Sequence, residues 1–469
     1  MKENTGYISY TYLVNISKLD VYFEYDKSIV FSVDSVERDL DSCYEENSQI
    51  VIITKTSIQK FDTTTEIRQL ARENILTIQN VLSFILGVPL TVYNSYKSQV
   101  MFDPFDYQKD RIHITVNNID YTDALLQILQ KLNEEKSTIL TVLDRWRKAL
   151  YLKEESMDAD LYYDESLLNF FHIMELFGES INEELFNKLN LKVKDLLSIY
   201  YTDLYYSDKQ IDNRVNDNLK SINKILNGEK LSVSIKIKYF LDKYSLLDEN
   251  VSYFIDNMVK MRNDIAHGKI IYQTSFNWPL SPFYNLAKNA YIEVNILQLL
   301  TANMISRYIG IKHWEVEWAE IRKCLLPSLE RIKDFVENTH TYNPLDSSSL
   351  IEGDFHSITW HSLFEHYITN PRVITLKKLE KSISEYYIST RLSEENAYNL
   401  FEISCILSDS QDEELKKTAI KNICNSIENG WYSISDLRYM YHFLKFYKIE
   451  SIWIKNFLEE NSAIVNAII

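Results

Sequence analysis

Glycine and proline are scarce in this chain, with eight and seven in 469 residues. Gly178, Gly228, Gly268, Gly310 and Gly430 each follow a run of helically spaced apolar residues, the place where a left-handed stop is useful. No Gly-x-Gly-x-x-Gly turn or P-loop occurs, which removes the common phosphate-cradling nucleotide sites. Cysteine is rarer still. Cys43, Cys324, Cys405 and Cys424 are far apart and form no Cys-x-x-Cys pair. They are expected to be reduced core thiols in a cytoplasmic protein, neither a disulfide frame nor a zinc site. Long apolar runs are missing too. The most apolar stretch, Ile75 to Tyr93, is broken by Gln79, Asn80 and Pro89, so no membrane span is expected. The opening Met-Lys-Glu-Asn-Thr-Gly has no apolar core of the kind a signal peptide carries. Positive charge is in deficit, with a net charge of −17, which disfavours loose binding of nucleic acid through the whole surface.

What is present suits a soluble globular protein of two to four domains: 45% hydrophobic and 25% charged residues. Residues 1 to about 60 read as strands. Tyr7–Val14, Ser28–Val33 and Gln49–Thr54 are rich in aromatic and β-branched residues. A helix is predicted over Thr64–Leu86, capped by Thr64 or Thr65, with Ile67, Leu70, Ala71, Ile75, Ile78, Leu82 and Ile85 as its apolar stripe. Gly87 should end it, and Pro89–Tyr93 should return to strand. Helix resumes from Asp120 to about Tyr151. Within it Trp146 lies between Arg145 and Arg147; such a Trp is either a base-stacking platform or, as expected here, a packing anchor whose arginines face water. Asp164–Gly178 follows, with Leu167, Leu168, Phe171 and Met174 inward and Gly178 as its cap.

Charge is uneven along the chain. Acids dominate from Glu154 to Glu184, whereas Lys220, Lys224, Lys230, Lys236, Lys238 and Lys243 outnumber Glu229 and Asp242. Such a surplus can steer an anionic strand, with Lys236 and Lys238 as the substrate-contacting candidates, or it can be the solvated face of an amphipathic helix.

The stretch that carries chemistry is Met258-Val-Lys-Met-Arg-Asn-Asp-Ile-Ala-His-Gly268, which reads as the last turns of a helix. At about 100° per residue, Asn263 and His267 stack one above the other. Arg262 points roughly 140° away from His267, so its long side chain or a second copy of the helix is needed to bring guanidinium and imidazole to one spot. An imidazole able to exchange a proton, beside a guanidinium shaped for phosphate oxygens, is a minimal kit for breaking RNA. The bland assignment of the same residues is a helix C-terminus with a His that satisfies the dipole and a surface Arg.

Arg262-Asn263-Asp264-Ile265-Ala266-His267-Gly268 resembles the signature of the HEPN superfamily of helical ribonucleases, in the form of its Apea-like branch linked to phage defence. Asp164–Gly178 is similar to the first long helix of that domain. Glu175 stands where the branch places an acid facing the Arg-His helix, and Arg262 or Asn263 is the natural partner for such a carboxylate. A Trp like Trp146 recurs just before that helix in the family. The stretch after Thr77, closing on Gly87 and re-entering a strand, resembles the domain that precedes HEPN in these proteins, to which the resemblance gives a sensing role. Adenylylation of a Tyr two residues after the His, as in another HEPN branch, is not supported, because Lys269 stands there.

These readings define the expected architecture: mainly α, with a strand-rich α+β domain at 1–115, a HEPN-type helical bundle at 116–310 and a C-terminal helical domain at 311–469. A linker is placed near 339–356. The third and fourth bundle helices are predicted at Leu246–Gly268 and Ser281–Ile309, joined by an irregular loop over Lys269–Pro282. C-terminal helices are predicted at Ile374–Ser389, Ser393–Leu407, Glu413–Asn429, Ser433–Phe446 and Ser451–Glu460. His356, His361, His366 and Glu365 match no metal spacing, so no metal and no cofactor are expected; His172 is either a second proton carrier or, as expected, a hydrogen-bonded core residue.

The resemblance implies a metal-independent endoribonuclease acting on tRNA or mRNA as a homodimer, a toxin-like effector answering a phage-derived trigger. Its catalytic residues would be Arg262, Asn263 and His267, with Glu175 in support. The competing reading is a HEPN-like module that binds RNA or protein without cutting.

Overall fold

The computed structural model describes residues 4–33, 48–58, 63–92, 95–102, 111–157, 162–225, 231–268, 291–342, 348–353 and 357–461. The aromatic and β-branched opening residues form strands, as their pattern dictates. In order these are β1 (Asn4–Val14), β2 (Leu19–Tyr25), β3 (Ser28–Val33), β4 (Ser48–Ile58), β5 (Ser95–Met101), β6 (His113–Val116) and β7 (Ile119–Asp120). They make one sheet, β5-β1-β4-β3-β2-β6-β7, antiparallel at every pairing. In β1 every second side chain, Ile8, Tyr10, Tyr12 and Val14, is buried, and Tyr10 and Tyr12 stand opposite Ile52 and Ile50 of β4.

Helix α1 (Thr64–Leu86) packs on β1, β4 and β5. Its cap is Thr63, one residue earlier than expected: Glu66 reaches back to accept the Thr63 N–H at 2.7 Å, completing a capping box. Leu70 is not in the core. It is 58% exposed, because it lies at the edge of the stripe that Ile67, Ile78 and Ile85 define. A buried hydrogen bond from Gln79 to the Tyr12 hydroxyl, 2.5 Å long, ties α1 to the sheet. At the helix end Gly87 has φ +71°, and a Cβ there would lie 2.7 Å from the Trp314 ring. The next residues do not return to strand. Leu90 is instead buried in irregular chain, its N–H donating to Ser83 and its carbonyl accepting from Arg147, while β5 begins only at Ser95. Tyr93 lies outside the described residues.

The helices that follow are α2 (Thr122–Met157), α3 (Tyr163–Ser180), α4 (Asn182–Asp203), α5 (Asp208–Ile225), α6 (Val233–Lys243), α7 (Glu249–Ala266), α8 (Tyr291–Ile309) and α9 (Glu315–Ile321). Helix α3 is the hub of this group and packs on α2, α6 and α8. Gly178 does not cap α3. It sits buried inside the helix, where a Cβ would press to 3.1–3.3 Å from Lys236 and the Ile237 nitrogen, so its missing side chain lets α6 approach. Trp146 is the anchor of α2, fully buried against Phe84 and Phe170 and donating to the Gln298 carbonyl at 3.3 Å. Of its flanking arginines, Arg147 contradicts the expectation of facing water: only 5% exposed, it donates to Asn80, the Leu90 carbonyl and Asp144.

Then come α10 (Leu329–Glu337), α11 (Ser349–Glu352), α12 (Trp360–Thr369), α13 (Leu376–Ser389), α14 (Ala397–Leu407), α15 (Glu413–Glu428), α16 (Ile434–Phe446) and α17 (Ile452–Glu460). The last five of these match the sequence expectation to within a few residues, since Thr375, Asp412 and Ser433 cap where apolar periodicity begins. Their core surrounds Trp360 and Tyr387, whose rings meet edge-on at 5.7 Å.

By contacts the chain forms two units. Among the described residues, one holds those up to Leu246, Arg262–His267 and 291–319; the other holds Leu247–Met261, Gly268 and those from Glu320 onward. The strand-rich region and the helices directly after it share a unit. The region is mostly helical beyond its antiparallel N-terminal sheet. Predicted positions 281–290, the loop over 269–282 and parts of the 339–356 linker lie outside the described residues; within that linker, Thr339–Tyr342 is a short 3-10 turn. Among the described residues no helix is long and apolar enough to cross a membrane.

Candidate functional site

Helix α7 ends as its sequence requires. The His267 N–H closes on the Asn263 carbonyl at 3.1 Å, and Gly268 turns the chain with φ +65° in open space. This last turn places Arg262 half-buried, and Asn263 and His267 exposed. Arg262 leans onto α3. Its Nη2 lies 2.8 Å from Glu175 Oε1, its guanidinium carbon sits 5.9 Å from the centre of the Phe171 ring, and its Nη1 donates to Asn263 Oδ1 at 3.1 Å. Sequence reasoning offered Arg262 or Asn263 as the partner of Glu175, and the structure pairs it with Arg262.

The network runs further than the motif. His172 Nε2 stands 3.9 Å from Glu175 Oε2, and its Nδ1 is 3.2 Å from Arg145 Nη1 on α2. A guanidinium can only donate, so Nδ1 accepts and the ring carries its proton on Nε2, the side that faces Glu175. The His172 side chain is 38% exposed rather than a core residue. Partial burial, then the positive charge of Arg145, push its pKa below the ordinary histidine value; Glu175 works against them and Arg262 with them. His267 is separate from this chain of contacts: among the described residues no hydrogen bond or ion pair holds its imidazole.

Lys236 is not the solvent-facing cation that its sequence context suggested. It is 9% exposed, with Nζ 2.6 Å from Glu179. With Val233, Ile237, Glu175 and Gly178 the pair lines a cavity of about 270 Å³ next to the Arg262–Glu175 contact. Lys243 likewise pairs with Glu184 at 2.7 Å. Two of the six lysines of the basic stretch are therefore paired with acids of the acidic one, which lowers its attraction for an anion. Lys238 is half-buried on the same helix.

The remaining candidates are structural. His366 is buried with Nε2 2.9 Å from the Pro327 carbonyl, and His361 Nδ1 contacts Glu402 at 2.8 Å; His356 lies outside the described residues. Among the described residues no group of three His, Cys, Asp or Glu side chains is placed to hold a metal. Cys405 is buried as expected, with burial pushing its thiol pKa well up, but Cys324 is exposed and no core residue; Cys43 lies outside the described residues.

Sequence reasoning missed Arg145. The signal was available: Arg147 has Asp144 three residues before it, whereas Arg145 has no acid three or four residues away on either side.

Compared with protein-family models, curated proteins and solved structures, the chain matches none.

Proposed function

We propose that this chain is a metal-independent endoribonuclease of HEPN type, acting at a composite Arg-His site formed between two copies of the chain. The observation that carries the reading is the end of α7, where Arg262 is fixed by Glu175 and Phe171 while the His267 imidazole is exposed and unengaged among the described residues. A guanidinium held by packing and a carboxylate is pre-oriented for phosphate oxygens. An exposed imidazole at the end of the helix is placed to deliver a proton to a leaving 5′-oxygen. Acting as the base instead, the ring takes the proton from the attacking 2′-hydroxyl. Asn263, between the two along the helix, orients the phosphate or the imidazole. Products would carry a 2′,3′-cyclic phosphate and a 5′-hydroxyl.

A single helix splays Arg262 and His267 by roughly 140°, so the paired arrangement, in which each His meets the other chain's Arg, is the economical one. The biological setting that fits is a toxin-like effector in antiviral defence, acting on tRNA or mRNA in the cytoplasm under control of a phage-derived trigger, with the N-terminal sheet domain in a sensing role. The second reading is a binding module that holds RNA or a protein without cutting. It draws support from the Glu175 carboxylate already neutralising Arg262 and from the net charge of −17. Incubation with end-labelled RNA in EDTA separates the two: cut ends bearing cyclic phosphate, lost in Arg262→Ala and His267→Ala, support the nuclease. Activity that vanishes in EDTA and returns with a divalent ion would end the metal-free mechanism.

A further inference from the structure

We propose that Arg145 is a second phosphate-binding residue, taking a phosphate of the RNA strand beside the one that Arg262 engages; this rests on the ribonuclease reading above. The reason is an uncompensated charge. Arg145 is half-buried on α2, its Nη1 is spent on a neutral imidazole, and its Nε is buried with no partner among the described residues. Among the described residues no carboxylate pairs with it, whereas Arg147, two residues on, has Asp144 at 2.8 Å. A cation drawn partly out of water normally finds an anion, and one without an anion among the described residues is set to receive it from a ligand.

The surroundings select a phosphate. From Arg145 the contacts pass through His172 and Glu175 to Arg262 at 3.2, 3.9 and 2.8 Å, so two guanidinium groups flank one carboxylate and one neutral ring. The cluster keeps one net positive charge, lies on the half-exposed faces of α2, α3 and the end of α7, and stands out in a chain whose net charge is −17. Planar, always-charged guanidinium groups at two points match successive phosphates of a flexible single strand better than a single compact anion. Arg145 would act by binding, away from the reacting atoms, and Arg262 by stabilising them.

The test uses the full-length protein and a 2′-O-methyl oligoribonucleotide, which offers phosphates but no 2′-hydroxyl to attack. Binding is followed by fluorescence anisotropy over a range of salt, for the wild type, Arg145→Gln and Arg145→Lys. The expected result is about a tenfold loss for Arg145→Gln, with the slope of log affinity against log salt shallower by about 0.7, the value for one phosphate of a single strand. Arg145→Lys keeps the slope and loses only part of the affinity, which guards against a Gln variant that folds poorly. Equal affinity and slope in all three proteins overturn the proposal. Histidine NMR adds a readout that does not depend on RNA: pyrophosphate should raise the pKa of His172 in the wild type and not in Arg145→Gln. If pyrophosphate does so but the oligonucleotide does not bind, the strand assignment is overturned and the site belongs to a small phosphorylated ligand. Oligonucleotide binding through Arg145 without any cleavage of natural RNA would instead retain this site and sink the nuclease reading.

Discussion

Helices α12 to α15 and the cluster on α2, α3 and α7 use polar groups in opposite ways. In the first region the partners are buried and face each other: the Tyr387 hydroxyl meets the Ser404 hydroxyl and accepts from Asn422 at 3.0 Å, all inside the apolar core. In the second, Arg145, His172, Glu175 and Arg262 are each half-exposed, and Asn263 and His267 are exposed. A closed network adds to the uniqueness and stability of a core, because each lost partner leaves a buried group unsatisfied. An open one contributes less to stability, because its members remain partly in water. Its arrangement is costly to explain by folding alone, and that is the physical reason to look for function there.

The comparison breaks most visibly through activity. Arg262→Ala and His267→Ala should each lower RNA cleavage by about 10²–10⁴-fold while leaving the thermal midpoint nearly unmoved; a large fall in midpoint for either would make it a structural residue. Trp360→Ala should do the reverse, costing about 3–5 kcal/mol through the cavity it leaves, read from denaturant unfolding, with unchanged chemistry at the cut ends. Arg147→Met sharpens the contrast between neighbours. Its loss leaves buried Asn80 and the Leu90 carbonyl without their donor, while Asp144 keeps Lys148 at 2.6 Å, and should cost about 2–4 kcal/mol, whereas exposed Lys148→Met, which leaves Asp144 its Arg147, should stay within about 0.5 kcal/mol; equal effects would mean that the buried pairing is worth no more than a surface one.

The smallest effect is in pH. Burial holds the His313 pKa below its ordinary value, against the opposing hydrogen bond to the Ile85 carbonyl. The unfolded chain therefore binds more protons in that window, so stability is full above about pH 6.5 and declines as pH falls through the depressed value. His313→Gln should flatten this slope in urea titrations at successive pH values. A slope that survives the substitution assigns it to other groups, with His172 and His442, also depressed, next in line.

Much of the fold was legible because its signals are local. Alternation marked β1 and β4, and Thr375, Asp412 and Ser433 marked helix starts. The failures share one cause. Gly178, Arg147 and Lys236 were each read from neighbours in sequence, but their environments are set by distant residues: α6 pressing on Gly178, Asn80 and Leu90 reaching Arg147, Glu179 claiming Lys236. At the candidate site the reverse held for four of the six residues. Helical spacing and the resemblance located Arg262, Asn263, His267 and the Glu175 contact, whereas the extension through His172 to Arg145 crosses two helices and leaves no periodic trace.

The central claim is that Arg262 and His267 act across two copies of the chain, and mixing two inactive proteins tests it most directly. Arg262→Ala and His267→Ala are combined in equal amounts, allowed to exchange subunits, and assayed for RNA cleavage in EDTA. Half of the dimers are then mixed, and in each of these one of two sites joins an intact Arg262 to an intact His267 from the other chain. Recovery to roughly a quarter of wild-type activity is the predicted result. No recovery, although sedimentation shows that mixed dimers have formed, or full activity from a wild-type chain that sediments as a monomer, would contradict the composite site.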